Sequence, residues 1–125
     1  MLNIPYDLKY TKTHEWIKIE KNEAKVGITD FAQHEITDIV HIELPELGKH
    51  VKKGQPVAVI ESVKSAFDIY TPVSGNIIKV NDIIFSSPEV VNQYPYESGY
   101  LFTIEFTDDQ EFAALLDAES YKKII

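Results

Sequence analysis

A mainly β domain with a few short helices and a helical tail is what this 125-residue chain predicts. Short apolar runs, many β-branched or alternating with polar residues, recur between turn clusters of Gly, Pro, Asn and Asp through most of the length. Apolar positions take up helical spacing mainly near the C-terminus. The length suits a single domain, residues 1–125, able to bury about two-thirds of its unfolded surface without staples.

In chain order, Trp16–Glu20 and Ala24–Ile28, joined across Lys21-Asn22-Glu23, read as a hairpin. Thr29-Asp30 then opens a short helix, with Asp30 as N-cap and Gln33 three residues on completing a capping box. Residues 38–44 resume the strand pattern and stop at Pro45; strict alternation turns Val40, Ile42 and Leu44 inward and His41 and Glu43 outward. Pro56–Ile60 and Asp68–Tyr70 are two arms of a second hairpin, and Asn76–Val80 is a further strand. Ser87-Pro88-Glu89 opens a helical turn with Pro at its first position, and Tyr100–Phe106 is the last long strand. In the tail, Asp108 with Glu111 repeats the capping-box pattern, and Phe112, Leu115 and Leu116 form the apolar stripe of a C-terminal helix that packs on the sheet.

The second hairpin carries the chemistry. Lys64 lies ten residues after Gly54 and eleven before Gly75, so a near-symmetric hairpin puts it at the tip, with glycines supplying positive φ at the outer ends of both arms. A lysine at a strand turn is ordinarily a solvated residue that discourages edge pairing. A compact ammonium on a flexible stem is also what a modifying enzyme can reach and acylate.

Other classes of function are excluded by composition. Twelve Lys+Arg against 20 Asp+Glu give a net charge of −8, which repels nucleic-acid backbones and favours docking on basic protein surfaces. With no cysteine there is no disulfide, thiolate metal site or protein-borne redox thiol, so any sulfur chemistry arrives on a cofactor. His14, His34, His41 and His50 are spread without metal-ligand spacing and read as surface histidines; no metal is expected. Neither a Gly-x-Ser-x-Gly elbow nor a phosphate-cradling Gly-rich loop is present. The start, MLNIPYDLKY, lacks the features of a secretory signal or mitochondrial presequence, and no apolar run reaches membrane-spanning length, so a cytoplasmic protein is expected.

The hairpin segment ESVKSAFDIYTPVSG (61–75) resembles the lipoyl-attachment hairpin of the glycine cleavage system H proteins. So do LKYTKTHEW (8–16), VGITDFAQ (26–33), DIVHIELPELG (38–48), SPEVVNQYPYESGYLF (87–102) and LLDAESY (115–121), in order over nearly the whole chain. Biotinyl domains flank their lysine with methionines and 2-oxoacid dehydrogenase lipoyl domains with Asp and Ala, whereas Val63 and Ser65 flank it here. The resemblance implies a barrel-sandwich hybrid, or hammerhead: two small sheets packed face to face with short extra helices. It implies lipoate in amide linkage on Lys64, and Glu15 and Asp68 lining the cleft where the loaded, cationic arm rests. Glu61, on the arm before the lysine, is a candidate for recognition by a lipoate ligase or lipoyl/octanoyl transferase.

The implied function is a non-catalytic, monomeric carrier. It takes an aminomethyl group from glycine decarboxylase (P protein) to the aminomethyltransferase (T protein), with reoxidation by dihydrolipoamide dehydrogenase (L protein). The alternative is a relay that donates lipoate to other lipoyl domains without glycine oxidation. Three positions depart from the family pattern: Phe67 stands where a small residue is usual, Tyr100 where Trp is usual, and Thr37 where Gly is common. The small residue usual at 67 leaves little room beneath it, so Phe67 is expected to stand exposed beside the arm as a partner contact.

Overall fold

The computed structural model describes residues 2–125. Among the described residues nine strands form two antiparallel sheets. The larger runs β1 (Lys9–Tyr10), β2 (Glu15–Glu20), β3 (Glu23–Ile28), β9 (Phe102–Phe106), β8 (Gly75–Val80), β5 (His50–Val51) in spatial order. The smaller contains β4 (Ile39–Glu43), β6 (Pro56–Ser62) and β7 (Ala66–Tyr70). Four short helices, α1 (Asp30–Ile36), α2 (Ile83–Ser86), α3 (Glu89–Gln93) and α4 (Ala118–Lys122), and a 3-10 segment (Asp109–Ala114) complete it. The mainly β class and the two sheets are as expected; among the described residues neither sheet closes into a barrel.

One apolar core joins the sheets: Ile17, Val26, Phe102 and Ile104 from the larger meet Ile42, Ile60 and Ile69 from the smaller. A second cluster, Leu8, Tyr10, Trp16, Tyr100 and Tyr121, seats the N-terminal segment and α4. Trp16 donates to the Pro95 carbonyl at 2.8 Å and lies directly on Gly27, its cross-strand partner, where a Cβ would approach the indole to 2.6 Å. Only glycine leaves room for the ring there. Tyr100, one of the three positions expected to depart from the family pattern, is likewise buried in the second cluster.

Several local expectations are corrected. The cap of α1 is Thr29, not Asp30: Thr29 is extended (φ −74°, ψ 165°) and its hydroxyl accepts from the Ala32 amide at 3.1 Å. Asp30 is already helical and takes the Gln33 side-chain amide at 2.8 Å instead. In β4 the pairing with β6 shifts between Ile39 and His41, a bulge that puts Ile39 and Ile42 inside and leaves Val40 54% exposed. Simple alternation fails there because the extra residue flips the face. Gly54 has the expected positive φ (+84°), but Gly75 is a strand residue needed for close approach: a Cβ would lie 2.1 Å from the Glu105 carbonyl oxygen.

The tail also differs. Residues 109–114 form a 3-10 turn capped by Asp108, whose carboxylate accepts from the Gln110 amide at 3.0 Å. Glu111 closes no capping box; its two oxygens accept from Ser74 N and Oγ, both at 2.7 Å, tying the tail to the loop that leaves the second hairpin. Leu115 and Leu116 lie beyond that turn, Leu116 bridging to Tyr10, and the true C-terminal helix is α4, capped by Asp117. One turn, α2, has no expected counterpart: Asp82 makes no side-chain cap bond, and only Ile84 of its four residues is buried.

Candidate functional site

The hairpin of β6 and β7 turns through Val63-Lys64-Ser65, and Lys64 is exposed at its tip, as expected. Ser62 holds the turn: its amide donates to the Ser65 carbonyl at 2.8 Å, and its hydroxyl oxygen accepts from the Lys64 and Ser65 amides at 3.3 and 3.2 Å. The Val63 amide donates to the Asp38 carbonyl at 3.1 Å, fastening the turn to the neighbouring strand's approach. Among the described residues the Lys64 ammonium has no hydrogen-bond or ion-pair partner. A hydrogen-bonded turn thus presents a free amine.

The register sets the surrounding side chains. Glu61 pairs with Ala66, Ile60 with Phe67 and Val59 with Asp68, so Glu61 and Asp68 share the outer face while Ile60 and Ile69 point into the core. Phe67 corrects the expectation of exposure: it is half-buried and packs against the core beside Ile69, because strand alternation turns it inward. Its ring also forms one wall of a groove of about 260 Å³ between the hairpin and α1, opposite Phe31 and Ile36. Thr13, His14 and the exposed acids Glu35 and Asp68 supply the groove's polar side.

Glu15 follows the groove residues Thr13 and His14 in the chain and is itself 1% exposed. One carboxylate oxygen accepts the Thr11 hydroxyl at 2.6 Å and the Thr13 hydroxyl at 2.5 Å; the other accepts the Tyr70 amide at 3.3 Å. The acid therefore clasps the end of β7 to the start of β2. Burial pushes its pKa above the ordinary carboxylate value, opposed by the hydrogen bonds from Thr11, Thr13 and Tyr70. Of the two acids expected in the cleft, Asp68 lines this groove, whereas Glu15 is buried and is not among its lining residues.

His14 is not a surface histidine. Held at φ +73°, it packs against Phe31 with ring centroids 4.8 Å apart, and its Nδ1 lies 2.9 Å from the Tyr121 hydroxyl, which in turn meets Thr29 Oγ1 at 2.7 Å. Burial lowers its pKa, so the neutral ring is favoured. His41 is exposed, as expected, but pairing of β4 with β6 sets it opposite Glu61, and with Glu43 the three side chains offer ligand atoms within 4.8 Å of one another. Linear spacing does not show that juxtaposition. Thr11, Thr13 and Tyr121 also went unmarked, although Thr11, Thr13 and Glu15 are spaced by two.

Two sheets thus meet on one core and present an unpartnered lysine at a hairpin tip, beside a groove with apolar walls, in the arrangement of a lipoyl/biotinyl-like fold. The family model for the glycine cleavage H-protein matches residues 8–125. A glycine cleavage system H protein from Endomicrobium trichonymphae is 72% identical over 124 residues, covering 99% of this chain and all of that one. One from Thermus thermophilus is 49% identical over 99% of this chain and 97% of its own length. The crystal structure of a glycine cleavage system H protein from Mycobacterium marinum superposes with a TM-score of 0.88, at 34% identity, over 96% of this chain and 97% of that one. The chain belongs to the glycine cleavage H-protein family.

Proposed function

We propose that this protein is the lipoate-bearing carrier of a glycine cleavage system, with lipoate joined to Lys64 in amide linkage. The observation that carries the reading is the free Lys64 amine on a turn fixed by Ser62, next to a groove with aromatic and aliphatic walls. The residues fit the group: the amine is open to acylation, and the groove suits an aliphatic arm ending in an apolar ring. When bound, lipoate supplies the redox and group-transfer chemistry of the cycle, between the glycine decarboxylase (P protein), the aminomethyltransferase (T protein) and dihydrolipoamide dehydrogenase (L protein).

The chain's own residues do the rest. Ser62 keeps the lysine backbone pointing outward for each partner enzyme and for the lipoate ligase or lipoyl/octanoyl transferase that recognises the hairpin. Phe31, Ile36 and Phe67 exclude water from an arm resting in the groove. Asp68 at the surface offers a carboxylate that attracts a cationic load through a charge-assisted hydrogen bond, and Glu15 braces the hairpin from beneath while adding negative charge. Glu61, on the outer face of β6, is the residue proposed to be read by the modifying enzyme. Tethering to one lysine raises the effective concentration of the load at each active site. Among the described residues no helix is long and apolar enough to cross a membrane, and the proposed setting is a cytoplasmic monomer.

The test is reconstitution. The lipoylated protein, mixed with purified P, T and L proteins, tetrahydrofolate and NAD, is expected to support glycine-dependent NADH formation that Lys64→Arg does not. Rapid donation of lipoate to other lipoyl domains without any glycine oxidation would favour the relay instead and overturn the proposal.

A further inference from the structure

The outer face of the six-stranded sheet carries an arrangement the carrier role does not use. Across four neighbouring strands one row of directly paired positions reads Lys18, Lys25, Thr103, Lys79. Phe102 and Ile104, on either side of Thr103, are fully buried in the core, so strand alternation aims Thr103 at the opposite face, with the lysines. A shift in pairing after Ile77 sets Lys79, rather than Ile78, opposite Thr103. Like charges directly opposite one another destabilise a sheet pair, and Lys18 faces Lys25.

Thr103 is 5% exposed, and its hydroxyl is the one buried side-chain polar atom among the described residues without a hydrogen-bond partner. It lines, with Lys18, Lys25 and Lys79, a groove of about 360 Å³; the acids sharing that groove are Glu20 and Glu23. Lys18 is engaged by Glu20 at 3.7 Å. The Lys25 ammonium lies 4.9 Å above the Tyr100 ring, and Lys79 has no carboxylate partner among the described residues. Lys25 and Lys79 therefore stand on the strands either side of Thr103, neither in an ion pair among the described residues, in a chain whose net charge is −8.

We propose that this groove binds an oxyanion of the phosphate class, held by Lys25 and Lys79 from the two sides and by the Thr103 hydroxyl from below. Lys25 and Lys79 are paired with Thr103 from the strands on its two sides, so their stems can reach the groove from opposite edges. A tetrahedral phosphate carries up to two charges and offers oxygens out of any one plane, whereas a carboxylate carries one charge and its acceptor sites lie near a single plane. The lysine stems are the flexible part of the face and can adjust to a ligand. The site belongs to the sheet that does not carry Lys64, so its occupancy and the loading of the hairpin are separable.

The full-length protein, labelled with ¹⁵N, is titrated with inorganic phosphate at constant ionic strength and pH, with glutarate and sodium chloride as parallel arms. Saturable amide shifts are expected at Lys25, Thr103 and Lys79 with phosphate, weaker ones with glutarate and none with chloride. Thr103→Val keeps the branched shape and removes only the hydroxyl; Lys79→Gln removes one charge. Each should weaken phosphate binding by about tenfold, the scale of one hydrogen bond to a charged group, and Thr103→Val should melt no lower than wild type because it deletes an unpartnered group. Non-saturable shifts, equal response to chloride, tighter binding of glutarate, or variants that titrate as wild type would each overturn the proposal. Shifts confined to exposed lysines elsewhere would mark an adventitious ion only and overturn it equally.

Discussion

Thr37, which stands where the family commonly has Gly, should become more stable as Thr37→Gly. The residue ends α1 with φ +69° and ψ −151°, a region that glycine alone enters freely, and a β-branched side chain is held there only by its surroundings. Those surroundings are backbone bonds that glycine keeps: the residue 37 amide donates to the Gln33 carbonyl at 3.0 Å, and its carbonyl accepts from the Asn92 side chain at 2.8 Å. Relief of such a conformation is worth about 1–3 kcal/mol. Against it stands the greater unfolded-state freedom of glycine, roughly 0.5–1 kcal/mol. The Thr37 hydroxyl bond to the Ile36 carbonyl is also lost, but the side chain is exposed and water replaces it. The net expectation is a gain of about 1 kcal/mol, or about 3–5 °C in Tm for a domain of this size. Thermal and urea unfolding measure it, with Thr37→Ala as the control: alanine removes the hydroxyl yet retains the Cβ that causes the strain, so it should not gain. A Thr37→Gly protein no more stable than wild type, or an alanine variant equally stabilised, would refute the reasoning.

Phe67→Ala should cost about 2 kcal/mol, part of the penalty for a fully buried ring, and lower Tm by about 8 °C; an unchanged Tm would return the ring to the exposed role that the sequence predicts. Glu15 is linked to pH through its raised folded-state pKa. Because its proton is held more tightly folded than unfolded, the acid's contribution to stability is complete below the ordinary value of 4.5 and falls as pH rises through the folded pKa. Urea midpoints from about pH 4 to 7 should show that decline in wild type and its loss in Glu15→Gln; a wild type that gains on the variant with rising pH would contradict the sign. Asp68→Asn should leave lipoylation intact and shorten the lifetime of the methylamine-loaded form, followed by mass spectrometry, and an equal lifetime would remove Asp68 from the site.

The strands and the tip lysine were legible because each rests on a short-range rule. Pro56–Ser62 and Ala66–Tyr70 pair about Lys64 as the turn residues imply, and Trp16–Glu20 pairs with the strand that follows it. What was hidden depends on contacts between distant segments. The bulge at Val40 answers to the partner strand β6, which no count along residues 38–44 contains. Glu111 reads as a capping-box acid until the fold brings Ser74 within 2.7 Å, a stronger claim on its carboxylate than a 3-10 turn offers. His14 looks like any surface histidine until α4 delivers the Tyr121 hydroxyl to its ring, 107 positions away in the chain. Phe67 was misjudged by size: the family's small residue there suggested no room, whereas the groove under the hairpin admits one face of the ring.

The claim that the hairpin exists to carry a covalent arm on Lys64 is tested most directly by the intact mass of the protein isolated from its native host, followed by peptide mapping. One added lipoyl group, located at Lys64 and absent from a folded Lys64→Arg variant whose guanidinium cannot form the amide, is the predicted result. A lipoyl group on another residue, uptake by the Lys64→Arg protein, or an unmodified chain in cells whose other lipoyl proteins are loaded would contradict it.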